Sequence, residues 1–321
     1  MRRRADLFLA LAPLGLLAVA AAGVMLGPER LSPGELFGEA GRNILENRVP
    51  RVLLAAAVGA SLSVAGVLFQ AILRNPLADP YVLGASSGAG LGAALAILAL
   101  LGTWAVAGAA FAGAMAATFV VYRLALVGGR IPRMTLLLSG VVVGYLLGGA
   151  LFFIVNLNRG RLNDVMWWLM GSLQATEPGL VTAVWVCMVL GTAGAWLFSR
   201  DLDLLSLGEE QAEHLGLSPE RAKTVFFGLG SLLTGAAVAA SGLIGFVGLV
   251  VPHLVRLIIG PGHRRLVPCS ALAGAIFLVI VELVSRTALP GEEIPVGVVT
   301  AFAGGPFFLW LLRRQRKVFW G

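Results

Sequence analysis

The sequence has 321 residues, of which 58% are hydrophobic and only 13% are charged, and its mean hydropathy is +0.89. A water-soluble domain carries about 25% charged residues to cover its surface, so this composition excludes an ordinary soluble protein. The net charge of +7 comes from Lys and Arg in short connectors between apolar runs, the pattern that sets membrane topology rather than a basic stripe that binds nucleic acid. We predict an all-α polytopic membrane protein that does not bind nucleic acid.

The apolar runs predict ten crossings. The hydrocarbon core of a bilayer is about 30 Å thick and needs about 20 apolar helical residues. The first run follows Met1-Arg2-Arg3-Arg4 and is too long for the apolar part of a signal peptide, so we expect a retained helix. The predicted spans are residues 7–26, 52–73, 82–101, 104–122, 134–157, 180–198, 267–288 and 296–312, with two more between residues 224 and 255.

Two of these boundaries depend on residues that interrupt long uncharged stretches. Residues 80–122 are long enough for two crossings, and Gly102-Thr103 marks the break between them. Residues 224–255 would form one helix of about 48 Å, which is too long for one crossing and short for two. Ser241-Gly242 and Gly245 are expected to break this stretch into two short or discontinuous helices.

The distribution of Lys and Arg predicts the orientation. With ten spans and a cytoplasmic N-terminus, 17 of these residues fall on the inner side and 7 on the outer side. Inner connectors of membrane proteins carry the excess of positive charge. We therefore expect a multi-pass protein of a prokaryotic cytoplasmic (inner) membrane, with both termini in the cytoplasm.

Two connectors are longer than turns. Residues 158–178 contain Trp167-Trp168, a pair suited to the outer membrane interface. Residues 199–223 form the longest inner connector, with acidic residues between Gly208 and Gly216, and Ser218-Pro219-Glu220 is typical of a helix start. The connector is either a solvated loop or a polar helix that docks onto another protein, and we favour docking.

Motifs for enzymatic chemistry are weak. Neither lysine lies in a Gly-Lys-Ser/Thr sequence, so no Walker A loop is present and any ATP must be bound by another subunit. Residues 84–88 match the hydrolase pattern G-x-S-x-G, but that motif requires a preceding strand and here it opens an apolar helical span. The three histidines are not spaced as metal ligands, so we predict no metal site.

Small residues and one charged pair stand out within the spans. Gly84, Gly88 and Gly92 recur every four residues, as do three glycines in the fifth span, and either row could face a neighbouring helix or a substrate path. Glu282 and Arg286 share a helix face. Because Arg286 is expected near the outer interface, where its side chain can reach water, the pair is either a structural ion pair or part of an outer docking surface.

Six stretches, in this order, resemble a known family over nearly the whole chain. They are Arg48-Val49-Pro50-Arg51, residues 75–80 leading to residues 84–88, Trp168-Leu169-Met170-Gly171-Ser172, Leu207-Gly208-Glu209 with His214-Leu215-Gly216, residues 245–253, and residues 294–300. Together they resemble the membrane subunits of the ABC importers for iron-siderophores, haem and cobalamin.

The resemblance implies partners and a way of working. It implies one permease domain over residues 1–321, a homodimer with one path at its two-fold axis, two cytoplasmic ABC ATPase subunits and a soluble or lipid-anchored substrate-binding protein outside. No cofactor would be bound by this chain, since ATP and Mg belong to the ATPase subunits. Closure of those subunits on ATP would push on residues 204–217 and rock the walls of the path.

The resemblance also implies roles for individual residues. The expected ATPase-coupling residues are Leu204, Leu205, Leu207, Gly208, Glu209, Glu210, Glu213, Leu215 and Gly216. The expected contacts with the binding protein are Arg48, Arg51 and Arg286. The expected translocation-path residues are Ser139, Gly140, Gly144 and Gly148, with an inner gate near Arg133 and Met134.

The substrate is the least determined property. A ferric siderophore or haem is the first expectation, cobalamin is the alternative, and an ion-coupled secondary transporter is a more distant one. A secondary transporter would need acidic residues within the membrane, and Glu282 is the one candidate in the sequence.

Overall fold

A computed structural model describes residues 2–27, 38–174, 177–289 and 291–319. Helices account for nearly all of the ordered structure in these ranges. They are α1 (Arg2–Met25), α2 (Glu39–Leu73), α3 (Ala85–Leu98), α4 (Thr103–Ala125), α5 (Arg133–Leu157), α6 (Leu162–Leu169), α7 (Pro178–Leu197), α8 (Ser199–Leu207), α9 (Glu209–His214), α10 (Pro219–Ser241), α11 (Val247–Ile259), α12 (His263–Thr287) and α13 (Val296–Phe319). Short 3₁₀ helices cover Pro80–Leu83 and Arg159–Arg161.

The ten predicted crossings correspond to ten apolar helices in the described part of the chain. Seven of them are long and apolar enough to cross a membrane. The other three, α3, α11 and the apolar part of α13, are shorter, with 14, 13 and 14 residues. The expectation of a polytopic all-α protein with some short helices is confirmed.

Helix α2 forms the centre of the fold. It packs against α12, α10, α7 and α11, and nearly all of its side chains after Val52 are buried. At Gly59 and Gly274 the backbones of α2 and α12 approach so closely that a Cβ on either residue would overlap the other's carbonyl. Small residues thus allow the contact that holds this central pair together, because apolar burial alone does not drive helices together within lipid.

The start of α2 differs from the sequence prediction. The helix begins at Glu39, not at residue 52, and is 35 residues long. Arg48, Pro50 and Arg51 therefore lie inside the helix and not in a connector before it. The prediction was wrong because the charged residues of this segment interrupt the apolar run, although their side chains are accommodated by contacts described below.

The predicted breaks are present. α3 ends at Leu98 and α4 begins at Thr103, as Gly102-Thr103 indicated. α10 ends at Ser241 and α11 begins at Val247. Gly242 (φ 66°) follows the end of α10 and Phe246 (φ 67°) precedes the start of α11, and the positive φ of both residues does not fit inside a helix. Only the second helix of this pair is short, because α10 begins at Pro219 and has 23 residues.

Candidate functional site

The connector at residues 199–223 folds into two short helices, α8 and α9, followed by the start of α10. Gly208 separates the two helices with a φ of 128°, a conformation that L-residues rarely adopt. Leu205 and Ala212 anchor the pair in the core of the protein. Pro219 is the first residue of α10, as the sequence indicated.

The expected coupling residues divide into an exposed set and a set that is partly or fully buried. Those with exposed side chains or backbone are Leu207, Glu210, Glu213, Leu215 and Gly216. Leu204 and Glu209 are half-buried, whereas Leu205 and Gly208 are buried in this chain. Leu207 and Leu215 are more than half exposed, at 53% and 59%, so the pair of helices presents two apolar side chains among carboxylates.

A buried lysine organises the base of this segment. The Nζ of Lys223 lies 2.8 Å from Glu209 Oε2, 2.8 Å from Glu220 Oε1 and 3.2 Å from the carbonyl oxygen of Ile131. Arg133 adds a second cation, with its Nη2 3.2 Å from Glu209 Oε1. These contacts join α9, the first turn of α10 and the start of α5.

The charges of this group determine the state of Glu209. Partial burial would raise the pKa of the Glu209 carboxyl, but the hydrogen bond and charge of Lys223, together with the charge of Arg133, hold that pKa below its usual value. Glu209 is therefore ionised at neutral pH. From the sequence, Glu209 and Arg133 are assigned separate roles and Lys223 none, although Glu220 and Lys223 are three residues apart at a predicted helix start, a spacing typical of an ion pair.

A second charged cluster lies at the opposite end of α2. Glu282 is fully buried, and its Oε1 lies 3.1 Å from Arg51 Nε and 3.2 Å from Arg286 Nε. Arg51 also binds Glu293, with Nη1 2.8 Å from Oε1. That hydrogen bond is the main reason why the pKa of the Glu293 carboxyl lies below its usual value.

The same cluster fastens α1. Arg48 donates hydrogen bonds to the carbonyl oxygens of Val24 and Met25, and Arg286 donates to that of Gly23. These carbonyls belong to the C-terminal end of α1, where backbone acceptors have no partner within the helix. Arginine side chains from α2 and α12 therefore satisfy the end of a third helix.

The expectation that Arg286 reaches water was wrong, and Arg48 and Arg51 are largely buried with it. The exposed fractions of Arg48 and Arg286 are only 7% and 3%, and the Arg51 side chain is 12% exposed. Ion pairs and backbone carbonyls take the place of water around these groups. The structural reading of the Glu282–Arg286 pair is confirmed, while a role in docking stays a prediction.

The two glycine rows have different surroundings. Gly88 and Gly92 lie against the backbone of α4, leaving no room for a Cβ, so the first row serves helix packing. In the second row Gly140 lies against the backbone of Val82, and its place in a path stays a prediction. Around Gly148 the chain leaves open space.

The other path residues lie on a largely uncovered helix. Ser139 and Gly144 are half-buried on α5, and Met134 is exposed. Large apolar side chains cover the same helix, and Tyr145 is 80% exposed. The exposed apolar side chains of α5 are Met134, Leu138, Val141, Val142, Tyr145, Leu146, Phe152, Phe153 and Leu157.

The hydrolase pattern and the histidines have structural surroundings in the described ranges. Residues 84–88 follow the 3₁₀ helix Pro80–Leu83 and open α3, so they lack the strand that a nucleophile elbow needs. Among these residues there is also no group of three His, Cys, Asp or Glu side chains that could hold a metal ion. His263 is instead bound to Asp203, with Nδ1 and Oδ1 2.7 Å apart.

The sequence profile of the FecCD transport family matches residues 15–314. The chain belongs to the FecCD transport family. It is 47% identical to a cobalamin import system permease protein of Halobacterium salinarum over 83% of this chain and 72% of the relative. It is 42% identical to a hemin transport system permease protein of Yersinia pestis, over 85% and 84% of the two chains. For an Fe(3+) dicitrate transport system permease protein of Escherichia coli K12 the identity is 41%, over 85% and 86%.

A solved structure has the same fold. It is described as an inward-facing conformation of a metal-chelate type ABC transporter, and it superposes with a TM-score of 0.87 at 29% identity, covering 96% of this chain and 99% of that chain. The resemblance drawn from the six sequence stretches is thereby confirmed. The FecCD chain is a multi-pass membrane permease of the ABC type, in a family whose members carry metal chelates.

Proposed function

We propose that this FecCD protein is the permease subunit of an ATP-driven importer of a large metal chelate in the cytoplasmic membrane of a prokaryote. Two copies would form a homodimer around one path, with both termini and the α8–α9 pair in the cytoplasm. The observation that carries this proposal is the surface of the α8–α9 pair, which exposes apolar and acidic side chains. The chain that carries this surface belongs to the FecCD transport family.

The exposed side chains of the α8–α9 pair support this pair as the binding surface for the ATPase subunits. Leu207 and Leu215 lie exposed beside Glu210 and Glu213, and this mixture of apolar and charged groups suits a protein partner better than water alone. The chain itself has no Gly-Lys-Ser/Thr sequence for phosphate. ATP and Mg would therefore be bound by the partner subunits, which do the hydrolysis.

The exposed apolar side of α5 supports the homodimer. A helix in lipid can expose apolar residues, so the side chains alone do not require a second copy. The open space beside Gly148 on the same helix suits a path or a second copy better than a packed neighbour within the chain. The α5 helices of two copies would then form walls of the path.

Buried charge argues against an ion-coupled secondary transporter. Such a transporter needs an acidic residue that can exchange its ion within the membrane. Glu282 is held between Arg51 and Arg286, so it acts as a fixed counterion. Arg48, Arg51 and Arg286 are largely buried, so they would hold the helix ends below an outer docking surface in place. They would not contact the binding protein themselves.

The substrate class is a metal chelate, with a ferric siderophore or haem as the first candidate. Cobalamin is the second candidate, and the 47% identity with a cobalamin import system permease favours it. Relatives named for hemin and ferric dicitrate are nearly as similar, at 42% and 41% identity.

Uptake by the whole complex tests the proposal. The chain would be reconstituted in liposomes with its ATPase subunit and binding protein, and loading of labelled cobalamin, haem, ferric citrate and a ferric siderophore would be measured with ATP, without ATP and with an ion gradient alone. We expect ATP-dependent uptake of one of the four. Uptake driven by the gradient alone would favour the secondary transporter, and an ATP-hydrolysing complex that takes up none would refute the chelate assignment.

A further inference from the structure

We propose that Lys223 is the positioning residue that ties the coupling helix α9 to the start of α5, so that a push on α9 is passed to the path-lining helix. This inference rests on the proposed function. It assigns to Lys223 a role in transport that its place in the sequence, at the end of a connector, does not indicate.

The ammonium group of Lys223 is fully engaged. A lysine carries three N–H donors, and here three acceptors from different parts of the chain surround it: Glu209 on α9, Glu220 on α10 and the backbone of Ile131. The side chain is only 3% exposed. A buried ammonium is costly to desolvate, so these three contacts must be kept together for the segment to retain its shape.

Ile131 shows how the start of α5 is held. Its carbonyl oxygen accepts from Lys223, and its backbone N–H donates to Glu220 Oε2 at 2.9 Å. Both backbone polar groups of Ile131 are thus bound by side chains near the start of α10. Two residues further on, Arg133 reaches Glu209 directly.

The charges of the linkage balance. Lys223 and Arg133 are paired with Glu209 and Glu220, and each carboxylate contacts a cation. Charge-assisted hydrogen bonds are stronger than neutral ones, and the two from Lys223 to the carboxylates are short, at 2.8 Å each.

The ion pairs add a charged link to the helix packing, because α10 also packs on α8 and α9 on one side and on α3 and α4 on the other. α5 packs on α3 and α4, whereas α8 packs on α12, α2 and α9. The ion pairs from Arg133 and Lys223 to Glu209 join these two groups of helices at the inner side. Coupling between distant sites requires a physical element that both sites bias, and this cluster is placed to be that element.

The test compares transport with hydrolysis in the complete complex. Lys223→Met and Arg133→Gln would be assembled with the ATPase subunit and binding protein, and uptake per ATP hydrolysed would be measured together with the melting temperature. The matched control is Arg123→Gln, which removes an exposed positive charge at the end of α4. We expect both linkage variants to keep hydrolysing ATP while uptake per ATP falls at least about fivefold, the lower end of usual coupling between two sites.

The outcomes separate the linkage from simple stability. A fall in uptake per ATP at an unchanged melting temperature supports the proposal, because a merely structural role would lower uptake and hydrolysis together. Where Lys223→Met does not fold, Arg133→Gln decides, since Arg133 is partly exposed and leaves the three contacts of Lys223 in place. Unchanged uptake per ATP in a folded linkage variant overturns the linkage alone, and a wild-type complex without ATP-dependent uptake overturns the proposed function as well.

Discussion

The fully buried Glu282 provides a sharp test of the charged cluster near the N-terminal end of α2. The perturbation is Glu282→Gln, which keeps the volume and removes the charge. Arg51 would retain Glu293 as a counterion, but Arg286 would lose the carboxylate 3.2 Å from its Nε. Removing one partner of a buried pair costs about 3–5 kcal/mol, because the other charge stays buried without compensation.

The size of the effect should depend on which charge is left. Arg286→Met should cost less than Glu282→Gln, because Glu282 keeps Arg51 at 3.1 Å. The double variant should be no less stable than Glu282→Gln alone, since it removes the unmatched arginine, and a coupling of about 0.5–3 kcal/mol between the two changes is expected.

The chain contains a matched control. Arg42 and Glu46 form an ion pair with the same 3.2 Å separation and the same spacing of four residues, but their side chains are 81% and 65% exposed. Glu46→Gln should therefore cost less than about 1 kcal/mol. The measurement is the free energy of unfolding in detergent, from denaturant titrations of the four variants. If Glu282→Gln is no more destabilising than Glu46→Gln, the buried cluster does not hold α1, α2 and α12 together and the reasoning fails.

Four further predictions follow from the same structure. The purified chain should show no ATPase activity, since it lacks a phosphate loop, and turnover that survives removal of every contaminating ATPase would contradict this. Single cysteines at Glu210 and Arg161, in a cysteine-free background, should label from opposite sides of intact cells, and labelling from one side would disprove the topology. Glu213→Arg should lower uptake per ATP without lowering the melting temperature, whereas Glu209→Arg should lower both because it faces Lys223 and Arg133. Arg51→Gln should leave the salt dependence of binding-protein association unchanged, since its charge is buried, and a flatter salt dependence in stopped-flow measurements would instead show direct docking.

Local signals in the sequence predicted the helix breaks well. Gly102, Gly242 and the pair Ser218-Pro219 lie where helices end or begin. Gly242 acts through a positive φ and Pro219 through a fixed φ without an N–H donor, whereas Gly102 precedes α4 in an extended conformation with a φ of −70°. A few neighbouring residues are therefore enough to identify each boundary. The polar helix at residues 209–214 was predicted for the same reason, since its acidic run is bounded by two glycines.

The charged residues of α2 could not be placed in this way. Arg48 and Arg51 precede the apolar run, and so the span predicted from hydropathy begins at residue 52. Their partners lie far away in sequence: the carbonyls at the end of α1 for one, and Glu282 and Glu293 for the other. A single sequence shows that these residues are charged but does not show which distant groups compensate the charge. Their burial could therefore not be predicted.

Lys223, unlike Arg48 and Arg51, could have been identified from the sequence, because lysine is rare in this chain. The sequence has two lysines against 22 arginines, and this one lies three residues after Glu220 at a helix start. An arginine at this position would present a planar fork of five N–H groups, whereas the three acceptors around Lys223 meet at one compact ammonium. A lysine retained in an arginine-rich chain is therefore explained by the geometry of its site. The same geometry predicts that Lys223→Arg restores the charge without restoring the contact to Ile131, so this variant should resemble Lys223→Met in uptake per ATP more closely than it resembles the wild type.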